Sequence, residues 1–261
     1  MTDPSDPDVP VNYHRQGPVA VVEIDRPDVR NAVDRRTAEA LGAAWDRFAD
    51  DENAAVGVLT GAGEDFSAGA DLEAMDLEDG EDGWLGFTRR RIDKPTVAAV
   101  EGHCVAGGLE MALWCDIRVA AEGTTFGCFE RRFGVPLVDG GTQRPPRVVG
   151  LGRALDMILT GRAVNAETAR EWGLVTRLAP DGDALDVAVE VAERIASFPQ
   201  ETVRTDRAAV YDGLGTDLDR GLRVEAWHGT RAMEAARGGA ARFAAGEGRG
   251  GDGIEDPDGG E

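Results

Sequence analysis

Short apolar runs alternating with stretches of helical periodicity constrain the fold more than any other feature. Val19-Ala20-Val21-Val22-Glu23-Ile24 reads as a strand that stops at Arg26-Pro27-Asp28. Asp34 then offers an N-cap for a helix with Ala38, Leu41, Trp45 and Phe48 on one face. A second strand, Val56 to Thr60, ends at Gly61-Ala62-Gly63. A third spans Thr96 to Val100, and a helix from Leu109 to Trp114 separates it from a fourth, Asp116 to Ala121. Strands joined through helices require crossovers, so the class is α/β with a mainly parallel sheet. From Gly152 the chain turns helical. One segment, Ala184 to Phe198, stripes Ala184, Val187, Val191 and Ile195, and another runs from about Leu218 to Arg237. The acidic, glycine-spaced stretch Asp76 to Gly83 has little to bury and predicts a mobile loop.

At 261 residues the chain is long enough for one large domain with a substantial core. No apolar stretch is long enough to span a bilayer. Met1 to Pro10 is acidic and proline-rich, with neither the basic nor the apolar region of a signal peptide, so a cytoplasmic location is expected. Acidic residues number 49 against 28 basic ones, a formal net charge of -21, and the sole lysine is Lys94. Such a charge opposes compaction in dilute buffer and is screened within roughly 3 Å at molar salt, which predicts a high-salt cytoplasm. The same charge argues against nucleic acid as a partner. Cys104, Cys115 and Cys128 are odd in number and form no CxxC, and His14, His103 and His228 are dispersed, so no disulfide framework, metal site or Ser-His-Asp triad is expected.

Two small-residue turns follow strands. They are Phe66-Ser67-Ala68-Gly69-Ala70-Asp71-Leu72 and Glu101-Gly102-His103-Cys104-Val105-Ala106-Gly107-Gly108-Leu109-Glu110. Main-chain N–H groups at such turns lack helical partners and are able to hold a developing oxyanion, although tight strand-to-helix turns without a ligand have the same pattern. Phe66 stands where a dinucleotide-binding GxGxxG needs its last glycine, and Ser67 lies outside any GxSxG elbow.

Together with their surroundings these turns resemble the signatures of the enoyl-CoA hydratase/isomerase (crotonase) family. The first turn is similar to one signature. Val97-Ala98-Ala99-Val100-Glu101-Gly102, Ala106 to Leu113 and Cys115-Asp116-Ile117 are similar to a second. Phe126-Gly127 to Glu130, Gly134-Val135-Pro136 and Gly140-Gly141-Thr142-Gln143-Arg144 are similar to a third. Arg26-Pro27 to Arg30-Asn31-Ala32, Leu159-Thr160-Gly161-Arg162 and Gly173-Leu174-Val175 fit as well, so the resemblance covers residues 11 to 250 in the family's order.

The resemblance implies a ClpP-like spiral of ββα units with a C-terminal helical region that packs on neighbouring subunits of a homotrimer or homohexamer. The expected organisation is a disordered N-terminus over 1–10, a spiral core over 11–198, a helical trimerisation region over 199–245 and a disordered acidic tail over 246–261. It implies a lyase of fatty-acid β-oxidation that adds water to a 2-enoyl-CoA. A double-bond isomerase, including a dienoyl-CoA isomerase, is the alternative, and an inactive scaffold the non-enzymatic one. No cofactor or metal is implied, since coenzyme A is part of the substrate, and no membrane partner. The N–H groups of Ala70 and Gly107 match the oxyanion hole. Glu110 matches the glutamate that holds and activates water, and Glu130 the acid that protonates C2, against the plainer readings of Glu110 as a carboxylate at a helix N-terminus and of Glu130 as the ion-pair partner of Arg131 or Arg132. Asn31-Ala32 matches the family's coenzyme A-contacting region. Arg26 and Arg30 flank it and are the candidates to offset the anionic ligand, with a surface role equally open to Arg30. Ala68, Asp71 and Leu72 are expected to line the thioester channel by backbone contacts.

Three positions depart from the family pattern. Ala106 replaces a glycine of many members, Cys128-Phe129 replaces a Gln-Pro pair, and Asp139 replaces a small residue. A carboxylate near Asp139 shuttles protons in family isomerases, so Asp139 either extends the acid–base set or caps a helix beginning near Thr142.

Overall fold

The computed structural model describes residues 10–246. Apart from Pro10 and Gly246, the two expected disordered ends lie outside the described residues. The chain separates into two compact units, the first ending at Ser197 and the second beginning at Phe198.

In chain order the first unit contains β1 (Val11–Gln16), β2 (Val19–Ile24), α1 (Arg35–Asp50), β3 (Val56–Gly61), β4 (Thr96–Val100), β5 (His103–Val105) and α2 (Gly107–Trp114). It continues through β6 (Ile117–Ala121), β7 (Thr125–Gly127), α3 (Pro145–Val148), α4 (Leu151–Thr160), β8 (Val164–Asn165), α5 (Ala166–Glu171), β9 (Arg177–Ala179) and α6 (Ala184–Ser197). A six-stranded sheet has the order β1-β2-β3-β4-β6-β9, parallel except where β1 pairs with β2. A smaller layer has the order β5-β7-β8. A single bridge between Ser67 and Cys104 joins the 66–72 turn to that layer, and another, between Val33 and Ala70, ties the same turn to the segment before α1. Successive strands of the large sheet therefore lead into a short extended segment of the second layer, the spiral of ββα units that the resemblance implies.

Strand periodicity divides the core. Val19, Val21, Val56, Val58, Val97 and Val119 face α6, where Ala184, Ala188 and Ala192 allow close approach. Ala20, Val22, Ile24, Leu59, Ala98 and Val100 face the other way, towards α1 and α2. Burial of both faces explains the unbroken apolar runs of the sequence. Asp34 caps α1 by accepting from the Thr37 N–H at 2.8 Å.

The acidic stretch 76–83 forms no regular element, but three arginines tie it down. Arg35 reaches the Asp76 carbonyl at 2.8 Å and Glu78 at 2.6 Å, Arg89 reaches Asp79 at 2.7 Å, and Arg90 reaches Asp82 at 2.8 Å. Lys94 is buried, its ammonium donating to the carbonyls of Phe48 and Asp51 at 2.7 Å each.

The second unit is helical: α7 (Gln200–Gly213), α8 (Leu218–Arg231) and α9 (Met233–Ala244). The single helix expected to Arg237 is broken at Ala232, which ends α8 and caps α9. Asp217 caps α8 through the Arg220 N–H at 2.9 Å, and buried His228 meets Asp212 at 2.7 Å across the α7–α8 hairpin. No helix among the described residues is long and apolar enough to cross a membrane.

Candidate active site

A cavity of about 840 Å³ opens in the first unit between the Ala68–Leu72 turn, the start of α2 and the segment 129–139. The parallel bridge orients the first turn. Val33 donates to the Gly69 carbonyl at 2.7 Å and accepts from the Asp71 N–H at 2.8 Å, so the Ala70 N–H between them faces away, towards the cavity. Gly107 is the first residue of α2, and its N–H is one of the donors a helix leaves unsatisfied. Among the described residues neither N–H has an acceptor.

Glycine is what lets these amides approach. A β-carbon on Gly69, at φ +87°, would lie 2.4 Å from the Gly107 nitrogen. One on Gly107 would lie 3.2 Å from the Gly69 Cα and 3.1 Å from Cδ1 of Leu85, and one on Gly108 would lie 2.3 Å from the Ser67 carbonyl oxygen. Ala106, just before Gly107, has φ 52° and ψ -127°, a conformation that suits glycine. The departure at position 106 therefore carries backbone strain.

Glu110 projects from α2 into the cavity and is buried. Its Oε1 accepts from the main-chain N–H of Asp139 at 2.9 Å and of Gly141 at 2.7 Å. Burial pushes its carboxyl up to about 7, aided by the charges of Asp139 and Glu130 and resisted by the two N–H donors. Glu130, in the 3₁₀ turn Phe129–Phe133, is also buried and lines the same cavity. Neither of its carboxyl oxygens has a hydrogen-bond partner among the described residues. Burial raises this carboxyl too. Its neighbours are engaged elsewhere, Arg131 with the Ile158 carbonyl at 3.1 Å and Arg132 over the Phe129 ring at 4.0 Å.

Asp139 is the third buried carboxylate on the cavity wall. It does not cap a helix: the nearest one, α3, starts at Pro145 with Arg144 as its N-cap. Instead its Oδ1 accepts from the Thr88 hydroxyl and, at 3.4 Å, from the Leu85 N–H.

Ala32, Ala68, Asp71 and Leu72 all line the cavity, as does Arg30, whose side chain is 62% exposed and only 3.6 Å from Asp65. Arg26 does not line it. Its guanidinium is spent within the protein, 3.1 Å from both Asp34 and Asp71 and 2.5 Å from the Ala32 carbonyl. Asn31 is fully buried and pins the turn to the carbonyls of Ala62 at 2.9 Å and Asp65 at 2.6 Å. Thr88 carries no signal in the sequence, because a lone threonine outside a motif has none, and Arg144 closes a signature there without a role of its own. Trp84, Phe129, Phe133, Val135, Pro136 and Val138 make one wall apolar. No group of three or more His, Cys, Asp or Glu placed to hold a metal occurs among the described residues.

A family model described as Enoyl-CoA hydratase/isomerase matches residues 14–244. The crotonyl-CoA hydratase of Syntrophomonas wolfei is 37% identical over 217 residues, 80% of this chain and 84% of that protein. The carnitinyl-CoA dehydratase of Salmonella enteritidis is 38% identical over 191 residues, 70% of this chain and 73% of that protein. Among solved structures, an enoyl-CoA hydratase from Mycobacterium tuberculosis superposes with a TM-score of 0.87 at 34% identity, covering 91% of this chain and 96% of that one. The family model spans both glycine turns and nearly all of the described chain, and the chain belongs to the enoyl-CoA hydratase/isomerase family.

Proposed function

We propose that this protein is an enoyl-CoA hydratase, a hydro-lyase adding water across the 2,3 double bond of a 2-enoyl-CoA. The observation that carries the reading is the convergence of two acceptor-free N–H groups, from Ala70 and Gly107, on a cavity lined also by Glu110 and Glu130. The thioester oxygen accepts from both N–H groups, which stabilise it as it gains charge towards the enolate. Each such donor is worth about 3–4 kcal/mol in the transition state.

The surroundings of the two carboxyl groups divide the remaining work. Two N–H donors favour the anion of Glu110, which suits it to hold a water and take its proton as the oxygen adds to C3. Glu130 accepts from no other residue, and burial raises its carboxyl against the pull of Arg131 and its own N–H, which suits it to deliver a proton to C2. One proton enters Glu110 and one leaves Glu130, so their exchange with solvent resets the site. The names of the relatives, a hydratase and a dehydratase, point the same way. Arg30 and Arg132 are the lining arginines, and we assign them to the anionic groups of coenzyme A. The further readings, a homotrimer or homohexamer in a high-salt cytoplasm and a place in fatty-acid β-oxidation, rest on the family and on the charge of -21.

Asp139 favours a second reading, double-bond isomerisation, because a third carboxylate in the cavity offers another proton relay. Turnover of 2-enoyl- and 3-enoyl-CoA substrates in heavy-oxygen water at molar salt separates the two. Hydration places the label on C3 and is lost in Glu110→Gln and Glu130→Gln. A shifted double bond without label establishes the isomerase.

A further inference from the structure

We infer that Thr88 is a positioning residue for Glu110, acting through Asp139. The inference rests on the proposed role of Glu110 as the group that activates water. Thr88 lies in the loop between β3 and β4, well away in sequence from both glutamates, and is itself buried. Its hydroxyl donates to Oδ1 of Asp139, which also accepts the Leu85 N–H. Arg144 closes the clasp from the other side, donating to the carbonyl of Asp139 at 2.6 Å and to the carbonyl of Thr88. Residue 139 is thus fixed by side chain and main chain together. Its N–H is one of the two donors to Oε1 of Glu110. The chain of contacts runs from Thr88 to the Asp139 carboxylate, through the main chain of residue 139, to the Glu110 carboxyl.

Gly83 supports the same reading. A β-carbon there would lie 2.4 Å from the Thr88 hydroxyl and 2.5 Å from Oδ1 of Asp139, so the loop leaves room for the clasp. Asp139 acts on Glu110 in two opposite ways. Its N–H favours the Glu110 anion, and its carboxylate charge disfavours it. The other groups facing this pair are Glu130 and Cys128, whose thiol burial pushes up to about 12, and Arg144.

Conservative variants separate position from charge. Thr88→Val removes the donor, and Thr88→Ser restores it. Asp139→Asn keeps an acceptor oxygen for Thr88 and Leu85 but removes the charge. Steady-state kinetics with a 2-enoyl-CoA at molar salt should show kcat reduced about tenfold or more in Thr88→Val, KM within about twofold, and recovery in Thr88→Ser. The acid limb of the pH profile should move up in Thr88→Val and down in Asp139→Asn. Should Thr88→Val not fold, Thr88→Ala is read in the same way. An unchanged kcat and pH profile in the Thr88 variants, or a loss that serine does not recover, overturns the inference. Carbon-13 NMR titration of the Glu110 carboxyl, assigned by its absence in Glu110→Gln, needs no turnover. If the parent hydrates nothing, the reaction reading fails, while an unmoved Glu110 midpoint in the Thr88 and Asp139 variants overturns the clasp alone.

Discussion

Oε1 of Glu110 accepts from the Gly141 N–H at 2.7 Å, and a β-carbon on residue 141 would stand only 2.8 Å from that same oxygen. The glycine therefore permits the contact that holds the carboxylate. Gly141→Ala should displace Glu110 and lower kcat by about 10- to 100-fold, with KM little changed. The other close neighbour of that β-carbon is Cδ2 of Leu137, at 2.6 Å, a side-chain end able to move. The variant should therefore remain folded, as circular dichroism and kinetics on one preparation will show.

Glu110 also sets a pH dependence of stability. Its carboxyl stands at about 7 in the folded protein against an ordinary 4.5. The folded state therefore binds the proton more tightly than the unfolded chain between those values. The stability this contributes is complete below pH 4.5 and lost as pH rises through about 7. Above that, burying the charge costs up to about 3 kcal/mol. Glu110→Gln should accordingly raise the unfolding midpoint at pH 8, with a gain that shrinks towards pH 4.5, while abolishing hydration. Denaturant unfolding across that range checks it.

Ala106 holds a glycine-like conformation at φ 52°, ψ -127° beside the oxyanion-hole candidate Gly107. Ala106→Gly should relieve the strain and stabilise the protein by about 1 kcal/mol, net of the greater freedom of glycine in the unfolded chain. Hydratase activity should survive, because the Gly107 N–H keeps its direction. Thermal unfolding and kcat/KM of the variant test both parts.

Charge makes a prediction of a different kind. With a net charge of -21, self-repulsion weakens the folded state in dilute buffer. The paired acids at Asp76, Glu78, Asp79 and Asp82 lie on exposed loops where ion pairs are worth little. The unfolding midpoint should rise between dilute buffer and molar potassium chloride. A flat or falling midpoint contradicts the high-salt assignment.

The parts of the fold legible in the sequence are those with enough buried surface to leave a pattern. β2, β3, β4 and β6 are nearly continuous apolar runs because both their faces are covered. Asp34 was readable because a helix N-terminus needs a side-chain acceptor. β5, β7, β8 and β9 have two or three residues each, too few for any period to show. α7 buries none of its residues within the chain, so it has no stripe to read.

At the site, motif positions brought Ala70, Gly107, Glu110 and Glu130 to one cavity. Pairing was not legible. Arg26 turns to Asp34 and Asp71 instead of the cavity, and Thr88 meets Asp139 from 51 residues away. Such partners are chosen by the folded backbone and leave no mark in the local sequence.

A crystal structure of the protein with an unreactive acyl-CoA thioester bears most directly on the central claim, that the main chain at residues 70 and 107 grips one thioester oxygen. That oxygen should lie within about 3 Å of both nitrogens, with the Glu110 and Glu130 carboxyl groups on the side of C2 and C3. A thioester oxygen bound elsewhere, or touching only one of the two amides, would contradict it.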